Sequence, residues 1–138
     1  MGEHGLELDE LLAAARGVQG VFELRKPDLK VAAVAAALRT ASGAVHTGVC
    51  LDLACGVGFC AEHAAIAEMP KHREREIVAI VAVNAHGIVA PCGRCRELIL
   101  QLTPRNRGTV VALPGGRRST VGELLPGYWL DEVRASPP

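Results

Sequence analysis

Cys92 and Cys95 stand at Cys-x-x-Cys spacing, so one turn can present two sulfurs to a single ion, and Cys60 offers a third from upstream. Three thiolates at roughly 2.3 Å leave the fourth position of a tetrahedral zinc ion to water, the arrangement of a catalytic site and not of a closed structural one. Zinc lowers the pKa of such a water from about 15.7 to roughly 7, which makes hydroxide available at neutral pH. Glu62, two residues after Cys60, is the carboxylate that can take the proton without touching the metal. It can then hand that proton on to a leaving group. The chemistry on offer is hydrolysis by a metal-activated water with a carboxylate as proton shuttle.

The elements around these residues must hold sulfur as thiolate. If all three cysteines lie at helix N-termini, backbone N–H groups and the positive ends of the dipoles favour the charged form. Three thiolates exceed a divalent ion by one charge, so nearby cations matter; Arg94, Arg96 and His63 are the local candidates. Cys50 and Cys55 remain over. Buried inert thiols are their default reading, with Cys55 also able to close the site as a fourth ligand.

Leu8, Leu11, Leu12 and Ala15 fall at helical spacing and predict an amphipathic helix over 6–16, followed by a charged loop over 21–30. Val31 to Leu38 reads as an N-capped helix slightly better than as a buried strand on propensity alone. Thr40 to Gly43 is a turn, Val45 to Leu51 a strand, and Cys55 to Gly58 a loop opening a helix that ends before Pro70. The charges of 71–76 predict a solvated loop, and the apolar run Ile77 to Val83 a strand buried on both faces. Pro91 opens a helix over 92–102, Thr109 to Leu113 forms a further strand, 115–118 a loop and 120–125 a short helix. Residues 131–138 read as a tail after a single domain over 1–130. This order gives an α/β domain of three layers.

The two-part pattern Cys60-Ala61-Glu62 and Pro91-Cys92-Gly93-Arg94-Cys95-Arg96 resembles the zinc signature of the cytidine deaminase superfamily in its small three-cysteine form. Glu123-Leu124-Leu125-Pro126 with Tyr128-Trp129 is similar to the C-terminal segment of the blasticidin S deaminases. The likeness spans roughly 31–130. It implies a three-layer α/β/α sandwich with a mixed sheet of about five strands, and it reverses the reading of 31–38, which matches the family's first strand. It further implies Zn2+ on Cys60, Cys92 and Cys95, Glu62 as proton shuttle, and the backbone N–H of Ala61 and the carbonyl near Ala90 as the grip on an aminopyrimidine edge. Tyr128 and Trp129 would complete a pocket, in the chain itself or in a neighbouring subunit, and a homotetramer is the assembly the resemblance implies.

This sequence departs from the family in four places, the first being the absence of the Pro-Tyr-Ser type segment expected before the first strand. The family's arginine after the motif glutamate is His63 here, and a protonated His63 could replace part of its charge. The glutamine that often follows the second cysteine pair and its arginine is Glu97. The Asn-x-Glu pair that binds ribose hydroxyls is absent from Val49-Cys50-Leu51-Asp52-Leu53, where Asp52 is the nearest acceptor. The substrate implied is a cytosine nucleoside, with a nucleoside of the blasticidin S kind close behind. An aminopurine or other amino-heterocycle on the same machinery is one alternative, and a non-catalytic, zinc-stabilised binding protein is another.

Fifteen basic and fifteen acidic residues cancel, and four aromatic rings offer few stacking platforms, which argues against a nucleic-acid polymer as partner. No apolar run approaches the roughly 20 residues of a membrane span. The N-terminus lacks a secretory pattern, and five cysteines, an odd number, suit metal ligands in a reducing compartment. The expectation is a cytoplasmic protein.

Overall fold

The computed structural model describes residues 3–133. Helix α1 spans Glu3–Val18, and the strands are β1 (Phe22–Glu23), β2 (Lys30–Thr40), β3 (Val45–Asp52), β4 (Ile77–Asn84), β5 (Gly87–Val89), β6 (Val110–Leu113) and β7 (Arg117–Thr120). Helices α2 (Ala61–Ala67) and α3 (Gly93–Leu102) flank β4 in sequence, and α4 (Val121–Leu124) and α5 (Trp129–Glu132) close the chain. The core sheet runs β3-β2-β4-β6-β7, antiparallel except between β4 and β6, with β1 and β5 as short additions beside β2 and β4.

Side chains alternate across this sheet and so divide the core in two. Ala35, Ala37, Ala79, Val81 and Val83 meet Leu11 and Ala15 of α1 on one face. Leu38 and Ile80 meet Ala65 and Ile66 of α2 and Ile99 of α3 on the other. The result is a helix–sheet–helix stack with a five-strand mixed core, as expected. Ion pairs from Arg39 of β2 to Glu7 at 3.0 Å and to Glu10 fasten α1 to the sheet. No helix among the described residues is long and apolar enough to cross a membrane.

Three local expectations need correction, and one short strand, β5, goes beyond them. Phe22–Glu23 is a strand and not loop, because it pairs with Val31 and Lys30 at the start of β2. Residues 87–89 form β5: the Asn84 side chain accepts the N–H groups of His86 at 2.8 Å and Gly87 at 3.1 Å, and that turn folds the chain back onto β4. Arg117–Thr120 is likewise a strand, its polar side chains suiting an edge position whose charges discourage pairing with another chain. The tail expected from residue 131 begins inside α5; residues 134–138 lie outside the described residues.

Asn106 is fully buried and joins three segments. Its Oδ1 accepts the Ile77 N–H at 2.8 Å, and its Nδ2 donates to Arg75 O at 3.0 Å and Ile99 O at 2.9 Å. Those bonds lock the start of the central strand to the body of α3.

Candidate metal and active site

Two close backbone approaches set where α2 begins. Gly58 lies against the Leu51 carbonyl, where a Cβ would collide, and Leu51 and Phe59 exchange two backbone hydrogen bonds at 3.0 and 3.1 Å. The loop over 52–58 is thereby closed, and the chain leaves β3 directly into Cys60. Gly48 of β3 then receives the first turn of α2: a Cβ there would stand 2.7 Å from Ala61 O and 2.7 Å from the Ala64 Cβ, and closer still to the Ala65 nitrogen. A glycine inside a strand marks such contact between backbones.

Cys60 is the N-cap of α2 and Cys92 the N-cap of α3, both with extended backbone, and Cys95 sits in the first turn of α3. The three Sγ atoms lie within 4.8 Å of one another, with Cys60 to Cys92 and Cys92 to Cys95 both at 3.5 Å. Tetrahedral zinc with sulfur at about 2.3 Å needs sulfurs about 3.8 Å apart, so the triad fits one zinc ion with slight expansion. No other Cys, His, Asp or Glu joins the group among the described residues, and Cys55 is exposed, on a left-handed backbone with φ of 60°.

The thiols are not equivalent. Burial and then the Cys92 sulfur push Cys60 up from the ordinary thiol value. Burial and then the Glu62 carboxylate push Cys95 far up. Burial also acts on Cys92, but the Cys95 N–H, the Cys95 and Cys60 thiols and the Arg94 N–H outweigh it and hold Cys92 below the ordinary value. A cation entering the group must therefore displace protons, chiefly from Cys60 and Cys95.

Glu62 is 4% exposed, and its Oε2 accepts the Cys95 thiol at 3.4 Å. His63 Nδ1 stands 3.5 Å from the same sulfur. Burial and then the charge of Arg94 lower the His63 pKa, which favours the neutral imidazole over the protonated form considered from sequence. Arg96 turns away from the sulfurs: Nε donates to Pro91 O at 2.9 Å and Nη1 to Leu124 O at 2.9 Å, which ties the approach to α3 to α4.

A cavity of about 470 Å³ opens over the triad. Of the residues singled out in the sequence it brings together Asp52, Cys60, Ala61, Glu62, Ala90, Cys92 and Arg94. Ala61 and Glu62 are the first residues of α2, whose leading N–H groups have no partner inside the helix. Tyr128 and Trp129 do not line the cavity of their own chain. Tyr128 is buried in the core beside α3, and the Trp129 indole donates to Glu97 Oε1 at 2.6 Å. Burial and then the neighbouring Glu97 carboxylate push the Tyr128 hydroxyl up to about 12.

Sequence reasoning missed Val34 and Cys50 in the cavity wall. β2 carries a bulge between Val31 and Ala35, with Ala32 left-handed at φ 61°, and only that distortion lets the Val34 N–H reach Cys50 Sγ at 3.2 Å. No residue in the run Val31 to Val34 advertises a bulge.

No family model matches the chain. It is 34% identical over 103 residues to a cytidine deaminase of Halalkalibacterium halodurans, an alignment covering 72% of this chain and 78% of that protein. A blasticidin-S deaminase of Bacillus cereus is 32% identical over 104 residues, covering 67% and 74%. In fold, the crystal structure of cytidine deaminase from Mycobacterium tuberculosis superposes with a TM-score of 0.74 at 24% identity, over 89% of this chain and 97% of that one.

Proposed function

The chain belongs to the cytidine deaminase family, and from that premise we propose that it converts the amino group of a cytosine nucleoside, or of a related cytosine compound, to a carbonyl with release of ammonia. The observation that carries the reading is the Glu62 carboxylate: buried, in the lining of the cavity, and 3.4 Å from one of three clustered sulfurs. Cys60, Cys92 and Cys95 would hold the zinc ion, which when bound would supply the Lewis acidity that makes water a nucleophile near neutral pH. Glu62 moves the protons: its position beside the cluster lets it accept one from the attacking water and deliver it to the ring nitrogen, then to the departing amine.

The other residues bind and orient. The Ala61 N–H donates to the pyrimidine edge, as an unpaired first-turn donor can, and the Ala90 carbonyl accepts from its amino group. Asp52 accepts from the substituent on the ring. His63 shares the charge of Cys95 as a neutral partner, Arg94 offsets the excess of thiolate, and Arg96 holds the turn before α3 in place. The chain acts as one domain, and a homo-oligomer, a tetramer by likeness to the family, would let the exposed Trp129 serve a neighbouring cavity, while Tyr128 stays in the core of its own chain. Free thiols of this kind persist in a reducing compartment, which suits the cytoplasm.

Ammonia release by the zinc-loaded protein from cytidine, deoxycytidine, cytosine, blasticidin S, adenosine and guanine tests the reading, beside Glu62→Ala. Turnover of a cytosine compound should fall by about 100-fold or more in the variant, the range of a lost general acid–base, while one zinc per chain is retained. Turnover of only a purine would overturn the substrate class. Turnover unchanged by the variant would overturn the role of Glu62.

A further inference from the structure

A second cavity, of about 370 Å³, borders β5 and is walled by the end of α1, the turn between β4 and β5, and the turn over Pro114–Gly116. Its size falls within the usual range of ligand sites, roughly 300 to 1,000 Å³. The polar side chains that line it are Arg16, Asn84 and His86, and no carboxylate does. Among the described residues neither the Arg16 guanidinium nor the His86 ring has a partner. Asn84 Oδ1 is taken by the N–H groups of His86 and Gly87, which leaves its amide nitrogen to donate. Gly87 at φ 144° and Gly115 at φ 78° line the same space, and a Cβ on either would meet nothing within 4 Å. These glycines serve their turns and not packing, so this part of the wall carries no side chains. An adjoining cavity of about 180 Å³ shares Ile88 with it and is lined by Leu8 and Leu12, with Asp9, Arg117 and Arg118 as its charged groups. Arg117 is turned back, its Nε donating to Pro114 O at 3.1 Å. Three guanidinium groups thus stand with one carboxylate across the two cavities, a local surplus of two positive charges in a chain whose fifteen basic and fifteen acidic residues cancel.

Arg16 lies in the last turn of α1, where its charge suits the helix dipole, but that role leaves its fork of N–H donors unfilled. A guanidinium fork, an imidazole and an amide nitrogen converge on one space as donors. A phosphate group answers them with close to two negative charges and three acceptor oxygens, and the guanidinium fork matches it in two parallel bonds. We propose that this cavity binds the phosphate of a small phosphate monoester, gripped by Arg16 with His86 and Asn84 donating beside it. The body of the ester passes over Ile88 toward Leu8 and Leu12. Val89 stands in the walls of this cavity and of the catalytic one, and Ala90 follows it in the catalytic wall, so occupancy of the second cavity alters substrate binding in the first. The site is separate from the deaminase reading and does not depend on it.

The test uses inorganic phosphate, phenyl phosphate and phenol on the zinc-loaded full chain at pH 7, with calorimetry for affinity and amide NMR for location. Both phosphates should move the signals of Gly87 and Gly115, and phenol should move neither. Phenyl phosphate should bind about tenfold more tightly than inorganic phosphate, through its buried ring, and both should weaken as salt is raised. Arg16→Gln should weaken both by about tenfold or more and Arg16→Lys by about threefold, each leaving cytidine turnover without phosphate unchanged. Saturating phenyl phosphate should change KM for cytidine by about threefold with kcat unchanged, and should do nothing in Arg16→Gln. Equal affinity for the two phosphates overturns the ester in favour of free phosphate, and a KM that does not move overturns the coupling through β5. Signals that move around Cys92 and Arg94 in place of Gly87, or affinity untouched by Arg16→Gln, mean an adventitious ion only and overturn the site. Binding at Gly87 with no ammonia from any compound supports the site and counts against the reaction alone.

Discussion

Replacing Gly48 by alanine perturbs the site without touching any residue that does chemistry. The new Cβ would stand 2.7 Å from Ala61 O and from the Ala64 Cβ and closer still to the Ala65 nitrogen, whereas ordinary contact begins near 3.4 Å, so the start of α2 must withdraw by more than roughly 0.7 Å. That turn carries Glu62 and is capped by Cys60, while Cys92 and Cys95 sit on α3 and stay where they are. The triad would then open on one side only. Overpacking of this kind costs about 1 to 3 kcal/mol, which in a chain of this size lowers the melting temperature by roughly 4 to 12 °C. A misplacement approaching 1 Å costs on the order of 100-fold in rate, and zinc affinity should fall by about 10- to 100-fold. Differential scanning fluorimetry, zinc competition with a chromophoric chelator and ammonia release measure the three separately. If Gly48→Ala melts lower yet keeps zinc affinity and turnover within about twofold, the helix does not set the triad as argued.

Two further outcomes follow from buried groups. Asn106→Ala removes the acceptor of the Ile77 N–H and the donors to Arg75 O and Ile99 O, and leaves them buried without partners; urea denaturation should show a loss of about 2 to 4 kcal/mol, and a loss under about 1 kcal/mol would contradict this account. The single tyrosine, Tyr128, gives an unmixed phenolate signal by ultraviolet titration. Its hydroxyl is pushed up to about 12 by burial and by Glu97, so the folded state holds the proton longer than the unfolded state does. Stability from this group is complete below pH 10, the ordinary tyrosine value, and is lost as pH rises from there to about 12. Phenolate absorbance appearing near pH 10 in the folded protein would show that the ring is not held as described.

Much of the site was legible because its residues are bound to one another by spacing. Cys60 and Glu62 share a helix start, as do Cys92 and Cys95, so finding the elements located the chemistry. The strand β2 was not legible from propensity. Its alanines favour a helix in isolation, but between α1 and α2 a small side chain is what lets both helices approach the sheet, and packing overrides the local preference. β7 was missed for the opposite reason: an edge strand needs no apolar face, and Arg117-Arg118 reads as a loop. Cys50 looked inert because buried free cysteines usually are, and its place in the cavity depends on the bulge in a neighbouring strand. The helix after Pro91 was placed one residue early, at Cys92, which is its cap.

The three sulfurs are drawn from two helices that the central strand β4 separates along the chain. A polypeptide leaving the ribosome N-terminus first has only Cys60 to offer when α2 emerges, and it gains its partners after β4 and β5 have been made. Until β4 has docked beside β2, nothing holds the two helix starts 3.5 Å apart at their sulfurs. Capture of a metal ion by all three is thus a late event in the life of each molecule, and a metallated chain is one whose sheet has already been assembled correctly.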